Sequence, residues 1–523
     1  MPKINSSWIK KLSSQNKTPT AVVDREDLVF KKSNILFFIF ILTWLCSLIL
    51  FSPLGLAPDE AHYLLWSKQL DWSYYSKGPL IAYIIRASTL IFGDSIFGVR
   101  FPAALLGACL FTLIRREFQR GIEDSRTADV LSLSCISSLI IFQSSLVMTT
   151  DIFAGLFWML AILSAKRALV DARFWLLYPS IISLGMLGKY TLAILIPIAF
   201  LYQFIFLKRL PQHSLRNLIV GCFLSLVFLF PVLYWNIQHD WVNFAHNSGH
   251  LVAKSNGFFI KFNYFLELVL SQLGLVGLVL GPYLTYLFYR SVKEKGILGH
   301  DNYVGFLIVS IGVFFVTVFL LSLTKRIYPN WPLPGYISAF LFLAYYAKDF
   351  TLNRFVKIIF ISNIFLLFIA VNIYNGATFG LPPKILPTTK LRNWSILGDK
   401  VQQLVSENNS PVIAIDDYGI LSQIIYNSSY ENKAYQLVYQ DRRMNQFDVW
   451  GGWKYDRDVD YKRDFLIILK DDQKIEVYAN FFSSIKPIGE KLSFELGGKS
   501  YREFSFYLGS GFKPELVIPP QRR

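Results

Sequence analysis

The sequence predicts a mainly α-helical, polytopic membrane protein with a small α/β domain at its C-terminal end. Three observations predict it. Hydrophobic residues make up 53% of the 523-residue chain and charged residues only 17%, against about 25% in ordinary soluble domains. The uncharged residues gather in long blocks, most of them near the ~20 residues an α-helix needs to cross ~30 Å of hydrocarbon. From about Lys390 the blocks stop and short apolar runs between polar turns take over. This distribution excludes both a soluble enzyme with one large core and a disordered chain.

Residues 1–34 are polar and basic, with Lys10, Lys11, Lys31 and Lys32, and read as a cytoplasmic N-terminal tail. Ile35 to Pro53 is charge-free, and no small-residue cleavage site follows, so it reads as a retained signal anchor. Further apolar runs cover 96–114, 128–148, 152–169, 174–188, 190–207, 215–236, 264–289, 303–323, 332–347 and 355–375. That makes about 11 spans, within a range of about 10–13. Pro79 to Phe92 is shorter and contains Arg86, which suits an interfacial or re-entrant segment.

Charge supports that choice. With the N-terminus inside and 79–92 on the outer surface, every inner turn carries cations: Arg115, Arg116 and Arg120; Lys166, Arg167 and Arg173; Lys208, Arg209 and Arg216; Arg290, Lys293 and Lys295; Lys348, Arg354 and Lys357. A full span at 79–92 would invert the pattern. The net charge of +16 is therefore mainly a topology signal and not a nucleic-acid footprint. Cys46, Cys109, Cys135 and Cys222 all lie in apolar runs, which argues against a disulfide framework and a zinc cluster.

The membrane domain thus covers 35–375 with a first outer loop at 55–95, a Gly/Pro-rich linker covers 376–389, and the α/β domain covers 390–523. Val412–Ile415, Phe465–Leu469 and Glu503–Tyr507 read as strands, and Leu421–Tyr426 as a helix segment. Gly274, Gly277 and Gly281 in one span read as close helix packing.

The outer loops hold the residues that could carry chemistry. The first begins Ala57-Pro58-Asp59-Glu60-Ala61-His62-Tyr63. A carboxylate at a low-dielectric border can serve as a general base; the same pair also suits the first turn of a helix over 61–70. The loop continues Trp72-Ser73-Tyr74-Tyr75-Ser76-Lys77-Gly78-Pro79, where Lys77 is either a phosphate ligand or an interfacial lysine with its head in water. Asp151, in Thr149-Thr150-Asp151, is a lone carboxylate between two spans. Lys189, in Gly188-Lys189-Tyr190, and Lys325-Arg326 are cations on the side that usually lacks them. His239 follows Tyr234-Trp235-Asn236, and His246 and His250 have the spacing of one helix face, a weak metal signal. Carboxylates facing cations among aromatics suit an anionic lipid headgroup with a base beside it. No nucleotide-binding pattern is present.

Several stretches in chain order resemble the bacterial membrane glycosyltransferases of the protein O-mannosyltransferase-like group, which includes the lipid A aminoarabinose transferase. They are Pro58-Asp59-Glu60-Ala61-His62-Tyr63 through Lys77-Gly78-Pro79-Leu80, Phe92-Gly93-Asp94-Ser95 with Gly98-Val99-Arg100, Thr149-Thr150-Asp151, Gly188-Lys189-Tyr190-Thr191, Pro231 to Asn236, Pro329-Asn330-Trp331-Pro332 and Arg443 to Asp448. The resemblance implies the C-type glycosyltransferase architecture, often with a span count nearer thirteen, and inverting transfer from a polyprenyl (undecaprenyl) monophosphate sugar. It implies an inner-membrane location with a periplasmic C-terminal domain. Asp59 matches the base or acceptor-orienting acid, Glu60 its neighbour, Asp151 the second loop acid, and Lys77 and Lys189 the phosphate-side lysines. Tyr74, Tyr75, Lys325, Arg326 and His239 join them as candidate substrate contacts.

Where the aminoarabinose transferase has a metal-linked Glu before the loop lysine, this chain has Ser76. No metal site of that kind and no fixed cofactor is expected, with a divalent cation left open. The acceptor would be lipid A, a glycan or a protein, and the chain a monomer. Two other readings stand beside this one: a polyprenyl-phosphate-sugar transporter or flippase, and a non-catalytic subunit of an envelope-assembly complex.

Overall fold

The computed structural model describes residues 20–249, 261–409, 411–415, 417–428, 434–436, 444–450, 463–470 and 474–513. Lys10, Lys11, His250 and Arg443 lie outside the described residues.

Every apolar run of the membrane domain is helical. The elements are α1 (Thr20–Phe51), α2 (Pro58–Lys68), α3 (Leu80–Phe92), α4 (Ile96–Gly121), α5 (Ser125–Ile136), α6 (Leu139–Phe142), α7 (Thr150–Ala168), α8 (Phe174–Met186), α9 (Leu195–Ile205), α10 (Ser214–Gln238), α11 (Val242–Gly249), α12 (Phe262–Val276), α13 (Leu280–Lys295), α14 (Asn302–Ser322), α15 (Leu333–Tyr346) and α16 (Arg354–Tyr374). Among the described residues, five helices are long and apolar enough to cross a membrane, or seven if each of two bent pairs counts as one span. The eleven expected spans do not emerge from helix length alone: four of the apolar helices are shorter, and α3 is one of these.

The two bends have different local causes and share one partner, Asn363. The 128–148 run is broken between α5 and α6 by 60°, and the 264–289 run between α12 and α13 by 109°. At the first, the Ser137 and Ser138 hydroxyls donate back to the Ser134 and Cys135 carbonyls, competing with the helical ladder. At the second, Gly277 takes φ +127°, which an L side chain rarely adopts. Gly277 is thus a helix breaker that also lies against α16, where an added Cβ would collide with Asn363, while Gly274 has open space, so the expected close packing is made at Gly277 and not at Gly274. In hydrocarbon the carbonyls near a break need partners. Asn363 of α16 supplies both, its amide donating to Ser134 O at 2.8 Å and to Val276 O at 3.0 Å.

The C-terminal domain contains α17 (Trp394–Glu407), β1 (Val412–Ile415), α18 (Tyr418–Asn427), β2 (Ala434–Gln436), α19 (Gln446–Val449), β3 (Phe465–Leu469), α20 (Ile475–Ala479), β4 (Phe482–Pro487), β5 (Leu492–Leu496) and β6 (Lys499–Phe512). The sheet order is β2-β1-β3-β6-β4, with β5 also on β6. β1 pairs in parallel with β2 and β3, and β6 runs antiparallel to its partners. β3 is buried along its length: Leu466 and Ile468 pack with α17 and α18, while Phe465, Ile467 and Leu469 pack on the other face.

This domain docks on the first outer loop. Leu65 of α2 is part of its core. The Gln423 amide donates to Leu56 O at 2.7 Å. Gly419 lies flush against Pro58, where an added Cβ would come within 2.9 Å of the proline ring. His62 is buried between Trp66, Tyr418 and Phe447 and bonds Ser422 Oγ at 2.9 Å.

Two measurements check this framework. Asn363→Leu leaves the Val276 carbonyl without a donor among the described residues and the Ser134 carbonyl with the Ser137 hydroxyl alone, so the purified protein should melt about 2–5 °C below wild type. Burial pushes the His62 imidazole down to about 3. Undocked, it takes up a proton below about 6.5, so protonation favours the undocked state. Docking should therefore be indifferent to pH above about 6.5 and weaken as the pH falls below it. Proteolytic release of the C-terminal domain should rise on acidification in the wild type, and His62→Phe should remove most of that rise.

Candidate functional site

The site is built on the N-terminal turn of α2. Pro58 opens the helix and places two adjacent carboxylates in its first turn, where the exposed backbone N–H groups favour negative charge. The two then diverge. Glu60 is wholly buried and holds Arg100 of α4 through two bonds, Nε to Oε1 at 2.8 Å and Nη2 to Oε2 at 2.7 Å. Its oxygens also accept from the Ala57 N–H at 2.8 Å and the Met148 N–H at 2.9 Å. With four donors on two oxygens, Glu60 has no capacity left for a substrate, and a catalytic role for it is replaced by a positioning one. It ties the first outer loop to Met148 and so to the turn that carries Asp151.

Asp59, one residue earlier, is exposed. Among the described residues its hydrogen-bonding partner is the Tyr418 hydroxyl, which donates to Oδ1 at 3.0 Å. Among the described residues Oδ2 makes no hydrogen bond.

Asp151 lies in the first turn of α7, behind the Thr149 cap. It is buried and ion-paired with Lys189, and it accepts from the Asn330 amide at 2.6 Å. Lys77 lies beside this pair. Among the described residues its ammonium makes no hydrogen bond or ion pair, although the side chain is partly buried and its carbonyl accepts from the Tyr74 N–H at 3.1 Å. Burial and then the neighbouring Lys189 push its ammonium down from the ordinary value, with Asp59 and Asp151 opposing. The Tyr63 phenol is raised, first by burial and then by Asp59, Tyr418 and Asp151, which puts all of these groups around one place.

Two like charges are brought together by backbone contact. Gly78 follows Lys77 and Gly188 precedes Lys189. The Leu80 N–H donates to Leu187 O at 3.1 Å, and Gly78 lies so close to that carbonyl that a Cβ would collide with it. A Cβ at Gly188 would press to 2.8 Å on the Phe153 side chain. Gly78 therefore lets the two lysine-bearing loops touch, and Gly188 lets the Lys189 loop close onto α7, which carries Asp151.

The remaining predicted residues are held elsewhere. Tyr74 is fully buried and stacks on Trp66, with centroids 4.4 Å apart. Its hydroxyl lies 3.0 Å from Trp66 O and 3.1 Å from Gln69 O, so it braces the loop and does not face a substrate. Tyr75 packs against His246 and takes the Gln446 side chain on its N–H at 2.7 Å. His239 stacks on Trp235, whose indole donates to Asp71 at 2.7 Å. Arg326 is exposed and gripped by Glu267 through two nitrogens, and Lys325 donates to Gly249 O at 2.9 Å. Among the described residues no group of three His, Cys, Asp or Glu side chains is placed to hold a metal ion.

Sequence reasoning assigned no site role to three residues: Arg100, Asn330 and Tyr418. Arg100 is a charge inside an apolar run, which needs a partner, and that signal is readable. Asn330 and Tyr418 carry no such mark.

Comparison with known proteins is consistent with this geometry. Residues 76–235, which include Lys77, Arg100, Asp151 and Lys189, match the family model of dolichyl-phosphate-mannose-protein mannosyltransferase. Lipid A galacturonosyltransferase RgtD of Rhizobium johnstonii is 25% identical over 319 residues, covering 59% of this chain and 64% of that protein. The chain thus spans just under two thirds of that relative's length. ArnT from Cupriavidus metallidurans in the apo state superposes with a TM-score of 0.59 at 12% identity, over 93% of this chain and 98% of that one. The same protein bound to undecaprenyl phosphate gives 0.55 at 15% identity, over 90% and 97%. The two structural matches show a shared fold.

The close approach of the two lysine loops yields a test. Gly78→Ala should force Leu187 and its neighbour Lys189 away from Lys77. The expected result is an increase of about tenfold or more in the KM for an anionic lipid donor, with kcat changed less.

Proposed function

We propose that this chain is a C-type membrane glycosyltransferase that transfers a sugar from undecaprenyl monophosphate to a lipid A-type acceptor at the periplasmic border of the inner membrane, a reading supported by the family match over 76–235, the curated relative and the shared fold. The observation that carries this reading is Lys77, a partly buried side chain whose ammonium has no direct partner among the described residues, beside the Asp151–Lys189 pair and the exposed Asp59. A bound phosphate would give Lys77 the counter-charge it lacks. The carrier and acceptor classes are drawn from the undecaprenyl phosphate bound by ArnT and from the lipid A named for RgtD.

In this scheme the acceptor hydroxyl attacks the anomeric carbon from the side opposite the phosphate. A new C–O bond forms, the bond from the anomeric carbon to the phosphate oxygen breaks, and the configuration inverts. The hydroxyl proton passes to Asp59 Oδ2. The electron pair leaves with the carrier phosphate, whose growing negative charge is met by Lys77 and Lys189. Asp151 and Asn330 hold Lys189 in place, and Glu60 with Arg100 holds the distance between the two loops.

The test is transfer of radiolabelled sugar from synthetic undecaprenyl-phosphate donors, both uronic acid and neutral hexose, to lipid A by the purified protein. Asp59→Asn should lower kcat about 10²–10⁴-fold while leaving expression and donor affinity near wild type. Retention of full transfer by this variant would remove Asp59 as the base. Ordinary uptake of donor without sugar transfer by the wild type would instead fit a carrier-binding transporter.

A further inference from the structure

Among the described residues, the C-terminal domain reaches Asp59 through Tyr418. Tyr418 is the first residue of α18, and its hydroxyl donates to Asp59 Oδ1 at 3.0 Å across a separation of 359 residues. The helix start is rigid, because Asp417 caps it by accepting from the Gly419 N–H at 2.8 Å and the Ile420 N–H at 3.1 Å. The next residues lock it to the loop that carries Asp59: Gly419 on Pro58, Ser422 on His62 and Gln423 on Leu56. A contact made by the tip of a loosely held loop would not be surrounded this way.

The chemistry of the pair is specific. A carboxylate accepts through both oxygens, and it can rotate about its bond to Cβ. A phenol donating to Oδ1 fixes that rotation and leaves Oδ2 as the oxygen that faces an incoming hydroxyl. Tyr63, Tyr328, Asp417, Asp151 and Lys77 also stand around the pair, and none of them donates a hydrogen bond to Asp59 among the described residues.

We infer that Tyr418 is a positioning residue for transfer, supplied by the C-terminal domain, that orients the Asp59 carboxylate toward the acceptor and so makes docking of this domain a condition of catalysis. The inference rests on Asp59 acting as the base.

The experiment compares Tyr418→Phe, Tyr418→His and Asp59→Asn in the full-length protein. Tyr418→Phe keeps the ring and its packing and deletes only the hydroxyl. It should lower kcat about tenfold, hold the donor KM within about twofold, and leave the melting temperature and the protease resistance of the C-terminal domain unchanged. Tyr418→His, which restores a donor on a ring, should recover part of the loss. Combined with Asp59→Asn, Tyr418→Phe should cause no further loss, because both act through one carboxylate. A Tyr418→Phe enzyme with wild-type kcat overturns the inference, and so does a loss of kcat that comes with loss of donor affinity and of domain docking. Full activity in Asp59→Asn overturns the base assignment itself, whereas an inactive Asp59→Asn beside an unaffected Tyr418→Phe overturns only the role given to Tyr418.

Discussion

The pairing of Glu60 with Arg100 is the constraint on which the half of this molecule that carries the candidate site depends. Both side chains are fully removed from solvent. Burying two charges costs several kcal/mol per ion unless nearly every donor and acceptor is satisfied. Here they are: Arg100 also donates to the Gly55 carbonyl at 2.6 Å and the Tyr374 hydroxyl at 3.2 Å, while Glu60 takes two backbone N–H groups. One ion pair thus joins the loop after the first span, the second outer turn and the end of the last span. Removing either partner would strand the other, so the pair acts as a hub and not as an ordinary surface bridge.

From that hub the functional geometry follows. Asp59 is carried outward on the same helical turn that carries Glu60 inward, because adjacent residues on a helix point in different directions. Asp151 is set by the turn that begins at Met148, whose N–H Glu60 holds. Lys189 is then paired with Asp151, and Lys77 is brought beside it by Gly78, which allows the two backbones to touch. The site is an assembly of short loops tied down by buried polar contacts, which suits a reaction whose main demand is fixed charge around a leaving phosphate.

Much of this was readable in the residues. The apolar runs and the short strands at Val412–Ile415 and Phe465–Leu469 carry period and composition that local physics reads directly. Asp59, Asp151, Lys77 and Lys189 stand out because charge at an apolar border is costly and invites a reason. What was not legible depends on partners far apart in the chain. The buried state of Glu60 requires Arg100, the bracing role of Tyr74 requires the Trp66 ring, and the bend at Gly277 requires Asn363. Arg326 drew attention as a cation in an unexpected place, and its partner Glu267 lies in α12, 59 residues earlier. Spacing along the chain does not reveal such pairs.

Asn363 has a consequence for how the chain is put together during synthesis. The carbonyls it satisfies belong to segments made long before it: Ser134 lies 229 residues earlier and Val276 87 residues earlier. Neither bond can form until the last apolar helix of the membrane domain has entered the bilayer. Until then both kinked segments hold incompletely satisfied backbone in a lipid environment, which favours straight helices. Arrival of the last helix is therefore the event that lets both bends become permanent, so the shape of the middle of the bundle is decided only when its final member is in place.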